Sequence, residues 1–485
     1  MARTINVLFM AAEADPFIKV GGLGDVAGAL PRALRSLPPE VTGDSRLDLR
    51  LVLPLHSAVR SETLRPLTVF SIPKGDSEIQ AEVFESSLDG MPVYFISGAP
   101  IRSSGSVYSL RPEPDAEKYV FFSLAAAELP RQLGWNVDIL HGNDWHTALA
   151  LYSNLTRRWE EGARRVSALL TLHNLPFMGP DVSSLMAAYG LPVAQTDLPE
   201  WARVLPLPLG LWASDAIVPV SPSYAAELLT PEYGGGLQDF LASRQDSLHG
   251  ILNGIDTASY NPTDDDALVS PFSLFTLEDR PRNKTALQVR LGFPSLPDVP
   301  LLGMVSRMEP QKGIDLAVRA LNSLRGQFQA FILGTGEPGL EEAVRSLAAA
   351  HPDNIRAEIR FDGQLARQIY AGSDVLLMPS RYEPCGLSQM IAMRYGCVPL
   401  VRAVGGLRDT VTEETGFIFQ KPLVQSLAAA LRGALRLYPE RSAWQELQKA
   451  GMAKDFSWTR SAREYFALYQ SIVHESTPVI SSNPL

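Results

Sequence analysis

The feature that most constrains this chain is an alternation. Short, nearly continuous apolar runs rich in β-branched residues are each followed by a longer segment with helical spacing. A first series runs through 5–12, 49–53, 93–96, 139–141, 168–173 and 216–220, and a second through 301–306, 330–333, 356–361, 375–378 and 398–401. Runs without polar alternation predict strands buried on both faces, the signature of parallel sheets. Helical segments such as 314–324 and 340–350 fall between them, which predicts α/β doubly wound sheets. The stretch from Asn253 to Pro300 lacks strand character, opens on the turn Asn253-Gly254-Ile255-Asp256 and continues through Asn261-Pro262-Thr263-Asp264-Asp265-Asp266. It places a hinge near residue 253. The expected division is a domain over 1–252 and a second over 253–457. With 485 residues there is chain enough for both. Ligands of such sheets bind beyond the carboxyl ends of the strands, so the loops there are the places to search.

Composition narrows the function classes. A net charge of -10 excludes a general nucleic-acid binder, which needs a basic face. No apolar run reaches the ~18–20 residues of a membrane span, and the chain enters a strand at once without a charged-then-apolar leader, so a cytoplasmic protein is expected. The two cysteines, Cys385 and Cys397, read as reduced thiols, and no metal-ligand spacing is present. Pro478 to Leu485 read as a frayed tail.

Five motifs fall at predicted strand ends. Lys19-Val20-Gly21-Gly22-Leu23-Gly24-Asp25 follows the first strand and precedes a helix with an apolar stripe of Val26, Leu30, Leu34 and Leu37; Pro31 is expected close to the start of that helix. Its glycines let backbone N–H groups approach an anion, with Lys19 adding charge. The bland alternative is a tight turn with a solvated lysine. Ser306-Arg307-Met308-Glu309-Pro310-Gln311-Lys312-Gly313 offers a guanidinium fork and a compact ammonium, suited to one diphosphate or simply two surface cations. Pro379-Ser380-Arg381-Tyr382-Glu383-Pro384-Cys385-Gly386-Leu387-Ser388-Gln389 sets a carboxylate beside a helix start, either for sugar hydroxyls and phosphate or as a capped turn. His141-Gly142-Asn143-Asp144-Trp145-His146 and Thr171-Leu172-His173-Asn174 combine an aromatic, a carboxylate and amides, a set suited to sugar recognition; histidines in such places are also often structural.

Together with Thr230-Pro231-Glu232-Tyr233-Gly234, Leu252-Asn253-Gly254-Ile255-Asp256, Gly405-Gly406-Leu407, Asp409-Thr410-Val411 and Asp455-Phe456-Ser457-Trp458, these motifs run in order along the chain and resemble bacterial glycogen synthase and plant starch synthase. The resemblance implies a GT-B fold, two Rossmann-like domains facing across a cleft, with a C-terminal helix over 458–477 returning to the first domain. It implies transfer of glucose from ADP-glucose to the non-reducing 4-hydroxyl of an α-1,4-glucan such as glycogen, with retention and without metal or other cofactor. The implied donor contacts are Lys19, Gly21, Gly22, Arg307, Lys312, Glu383, the amides of Cys385, Gly386, Leu387 and Ser388, and Phe361 at the nucleotide position. His173 would sit beside the anomeric carbon, and Lys19, Arg307, Lys312 and Glu383 would act with it in catalysis. Asp25, Asp144, Trp145 and Asn174 would face the acceptor.

The chain also departs from the family pattern. No lysine stands in Leu207-Pro208-Leu209-Gly210, Phe361 replaces a common tyrosine, and the segment from His173 to Pro219 matches poorly. The position eight residues after Glu383 is Ile391, not a second glutamate, which fits the glycogen synthase branch. The alternatives are a related glycosyltransferase using UDP-glucose or another acceptor, and a glucan-binding relative without turnover. An NAD-dependent oxidoreductase is excluded by the glycine spacing after the first strand.

Overall fold

The structure is a computed structural model that describes residues 3–60, 63–109, 111, 113–157, 166–324 and 326–473. The chain divides into two compact units, Met1–Gly254 with Trp458–Leu485, and Ile255–Ser457.

The first unit is built on β1 (Thr4–Met10), β2 (Arg46–Pro54), β3 (Arg65–Lys74), β4 (Ser77–Leu88), β5 (Met91–Ser97), β6 (Ile139–Asn143), β7 (Ser167–Leu172) and β8 (Ala216–Pro219). They form one sheet in the order β3-β4-β5-β2-β1-β6-β7-β8. Strands β2, β1, β6, β7 and β8 run parallel, and their apolar residues are buried on both faces, as continuous hydrophobicity requires. The expectation of a purely parallel sheet is corrected at one edge, where β3, β4 and β5 form an antiparallel meander. The sequence of β3 and β4 hides this. Their buried residues alternate with charged and polar ones, because one face meets solvent, and the ladder carries Glu85, Glu82 and Lys74.

Helix Gly22–Arg35 buries Val26, Leu30 and Leu34, as its stripe requires. Pro31 lies inside this helix, three-quarters of the way along, and not near its start. It lacks only the N–H that would reach residue 27, and it is buried. Helix Trp458–Ile472 packs on helix Gly22–Arg35; Tyr469 Oη meets His141 Nδ1 at 2.6 Å, and Ser461 Oγ donates to Leu252 O. The remainder of the expected 458–477 helix from residue 474, and the tail Pro478 to Leu485, lie outside the described residues.

The second unit carries β9 (Leu301–Val305), β10 (Gln329–Gly334), β11 (Ile355–Ile359), β12 (Val375–Met378), β13 (Val398–Arg402) and β14 (Phe417–Phe419), all parallel, in the order β11-β10-β9-β12-β13-β14. Alternate residues of a strand serve opposite layers. Leu302, Met304, Ala330 and Ile332 pack with Ile314, Leu321, Leu427 and Leu431 on one side. Leu301, Phe331 and Leu333 pack with Leu287, Leu365 and Ile369 on the other. Among the described residues no helix is long and apolar enough to cross a membrane.

Candidate active site

In each sheet the chain reverses its direction of winding at one place: between β1 and β6 in the first, and between β9 and β12 in the second. The loops leaving adjacent strands there diverge and leave a crevice, the standard ligand position in such folds. Four of the five sequence motifs leave those four strands, and the fifth leaves β7, the neighbour of β6.

In the first unit the glycine turn after β1 is organised by a residue the sequence reading missed. Glu13 is buried, and its carboxylate accepts from the N–H of Val20, from Gly21 N–H at 3.0 Å and from the Tyr108 hydroxyl at 2.9 Å. Burial pushes the Glu13 pKa up, and the two backbone donors pull it back. The anion bound at this turn is thus the chain's own carboxylate, so the Gly21 N–H is already engaged. A Cβ on Gly24 would come 3.0 Å from both Glu13 Oε2 and Lys19 Cγ, so either side chain would have to give way to a larger residue. Lys19 Nζ lies 2.5 Å from Asp25 Oδ1, pairing one expected donor contact with one expected acceptor contact. Tyr108 is placed by Lys118, a fully buried ammonium bonded to Asp115 Oδ1 at 2.7 Å, Val107 O at 2.8 Å, and Ser104 Oγ and Ser106 O at 3.0 Å.

The loops after β6 and β7 are bonded to each other. Asn143 Nδ2 donates to Met10 O at 2.9 Å, which turns its Oδ1 toward His173 Nε2, also at 2.9 Å. A carbonyl oxygen only accepts, so Nε2 carries the proton of His173 and Nδ1 is left as an acceptor. Loss of hydration lowers the His173 pKa far below the usual imidazole value, so the ring is neutral. Asp144 Oδ1 accepts from His173 N–H at 2.8 Å. Burial raises the Asp144 carboxyl to about 7, opposed by the backbone N–H groups of His173 and Asn174. Asp144 also holds φ 52°, a left-handed conformation that non-glycine residues adopt rarely and that clusters at functional sites. Trp145 is buried, edge-to-face on Tyr119 at 5.1 Å, and the Asn174 Oδ1 accepts no hydrogen bond among the described residues. His141 is a core residue between Thr171 and Tyr469.

In the second unit Lys312 and Glu383 meet. Lys312 Nζ lies 2.8 Å from both Glu383 oxygens, and Ser380 Oγ donates to Oε2 at 2.9 Å. Their loops interlock: Arg381 N–H donates to Gln311 O, Arg381 forks onto both oxygens of Asp315 at 2.7 and 2.8 Å, and a Cβ on Gly313 would strike Pro379 O. Cys385 is buried; Gly386 adopts φ 71°, and the helix begins at Ser388 just after Leu387. Arg307 is mostly exposed and reaches Glu309 at 2.8 Å. Phe361 is 88% exposed at the end of β11, two strands from β9 on the same rim of the sheet. The departure at Leu207-Pro208-Leu209-Gly210 is a packing choice. These residues form a buried helix against Trp145–Arg157, and a Cβ on Gly210 would sit 2.5 Å from Ala148 Cβ.

Residues 6–243 match the family model for the starch synthase catalytic domain, and 293–450 match glycosyl transferases group 1. The glycogen synthase of Streptococcus sanguinis is 39% identical over 492 residues, covering 97% of this chain and 100% of that protein. The chain belongs to the glycogen/starch synthase family. It is accordingly a glycosyltransferase with the GT-B fold. Among other members, the glycogen synthase of Anaeromyxobacter sp. is 41% identical, covering 96% of this chain and 99% of its own. The catalytic domain of starch synthase IV from Arabidopsis thaliana, solved bound to ADP and acarbose, aligns with a TM-score of 0.84 at 31% identity over 97% of this chain and 99% of that one. Sucrose-phosphate synthase from Thermosynechococcus elongatus shares the fold, with a TM-score of 0.62 at 18% identity, covering 96% of this chain and 98% of that one.

Proposed function

We propose that this chain transfers glucose from ADP-glucose to the 4-hydroxyl at the non-reducing end of an α-1,4-glucan, retaining the anomeric configuration. The observation that carries the reading is the Lys312–Glu383 pair at the switch point of the second sheet, with Arg307 exposed on the same loop. A fixed ammonium and a guanidinium there suit a diphosphate, and a carboxylate beside them suits glucose hydroxyls. Family membership and the ADP-bound starch synthase support the donor.

Bond cleavage builds positive charge on the sugar and negative charge on the departing diphosphate. Arg307 and Lys312 would stabilise the latter, with the amides from Cys385 to Ser388 and Lys19 assisting. Glu383, released from Lys312 as phosphate arrives, would hold the glucose, and Phe361 would lie against the nucleotide base. Neutral His173, protonated on Nε2 by its bond to Asn143, would offer Nδ1 to a glucose hydroxyl beside the anomeric carbon. Asp25, Asp144, Trp145 and Asn174 would receive the acceptor. The reading uses no metal or cofactor and places the enzyme in the cytoplasm. The test is a donor competition followed by proton NMR of the new linkage. ADP-glucose should be consumed in preference to UDP-glucose and give an α-linked product; preference for UDP-glucose or a β-linked product contradicts the reading.

A further inference from the structure

Two large rings stand half in water on the first unit, Trp201 at 47% and Phe177 at 57% exposed. Both lie in the segment that departs from the family pattern. Trp201 belongs to the short turn Glu200–Val204, and its indole lies against Gly236, where a Cβ would come 2.9 Å from Cζ2. Gly235 and Gly236 hold φ 57° and 83°, so the bare backbone that seats the ring demands glycine twice over. A Cβ on Gly235 would come 3.0 Å from Met178 Cε, the neighbour of Phe177. Gly179 in turn lies against Trp145 Cε3 and Pro206 Cγ, where its Cβ would come 2.9 Å from each. Backbone bonds fix the segment: Val182 N–H to Val204 O at 2.9 Å, and Leu207 N–H to Met178 O at 3.1 Å. A contiguous path thus leads from Trp145 along the loop after Asn174 to Trp201.

We propose that Trp201, with Phe177, forms an aromatic platform for glucose rings of the glucan farther along the chain than the residue being extended. The proposal rests on the acceptor reading above and adds a determinant of chain length. A ring pinned on one side by glycine backbone and open on the other presents a flat apolar face at little conformational cost, which suits the apolar face of a sugar ring. The Thr230-Pro231-Glu232-Tyr233-Gly234 motif leads directly into Gly235 and Gly236 and so acquires a role as the support of this platform.

The test uses the full chain and two glucans, maltotriose and maltoheptaose. Trp201→Ala should raise KM for maltoheptaose about tenfold, raise KM for maltotriose less than twofold and leave KM for ADP-glucose within twofold. Trp201→Phe should largely restore maltoheptaose use, and Phe177→Ala should shift the same way as Trp201→Ala. Titration calorimetry of maltoheptaose without donor should show the same order of affinities. If ADP-glucose is not a donor, the kinetic arm fails with the functional reading, while calorimetry still decides the platform. Unchanged maltoheptaose affinity in both alanine variants, equal shifts for both glucans, or a change only in the oligomeric state of the chain on sedimentation overturns it.

Discussion

Replacing Lys312 by methionine separates what the Lys312–Glu383 pair does for the fold from what it does for the reaction. The ammonium lies 2.8 Å from both oxygens of a carboxylate whose side chain is only 5% exposed, while Lys312 itself is 17% exposed. Without it, Glu383 keeps the Ser380 hydroxyl at 2.9 Å as its side-chain partner among those described above. Stranding one member of a buried pair costs ~3–5 kcal/mol, and the partly open rim puts this case near the lower end, about 3 kcal/mol. The double variant Lys312→Met with Glu383→Gln leaves no uncompensated charge and should recover about 2 kcal/mol of that loss. Turnover behaves differently. A lost contact to a developing anion costs ~3–4 kcal/mol of barrier, so Lys312→Met should lower kcat at least a hundredfold, and the double variant should not recover it. Urea denaturation followed by circular dichroism gives the first quantity, and ADP release in the presence of glycogen gives the second. A single variant with parental stability and turnover, or a double variant with restored turnover, refutes the reasoning.

Arg307→Ala should lower kcat at least about a hundredfold and leave the urea midpoint unchanged, because the side chain is mostly exposed and among the described residues pairs with Glu309 alone; near-normal turnover removes it from the site. Asp144→Asn keeps the acceptor oxygen for His173 N–H and tolerates the left-handed backbone. The wild-type carboxyl is raised from the usual 3.8 to about 7, so stability falls progressively as pH rises from about 3.8 to 7 and the full penalty stands above 7. The variant should therefore gain roughly 1–3 kcal/mol of stability at pH 8 on thermal denaturation while losing acceptor affinity. His56, His141, His146 and His173, all in the first unit, are held neutral with lowered pKa values, an advantage complete above the unfolded value near 6.5 and lost as pH falls below it. Asp144 opposes part of this loss, yet the four histidines together should lower stability as pH falls toward 5, so hydrogen exchange should show the first unit opening before the second; simultaneous opening contradicts this assignment.

The parallel strands were legible because burial on both faces forbids polar alternation, and the motif loops followed from them once the strand ends were known. The β3–β4 edge was not, because a half-solvated antiparallel pair mixes charge into its pattern. Pro31 misled because a buried proline late in a helix looks, in sequence, like one near a helix start. Glu13 escaped notice because its partners, Val20, Gly21 and Tyr108, are joined only by the fold; a carboxylate closing an apolar strand was the one available hint. Likewise Lys118 sits in an ordinary helical stretch, and only the loop folded over it reveals a buried cation. The interlock of Lys312 with Glu383 joins residues 71 apart in sequence, which spacing cannot disclose.

Labelled ADP-glucose incubated with the full chain and glycogen tests the central reading most directly. Label should enter the polymer and be released by an exo-acting enzyme that cleaves α-1,4 links from the non-reducing end. Label that stays in ADP-glucose, or appears only as free glucose, contradicts the proposed transfer.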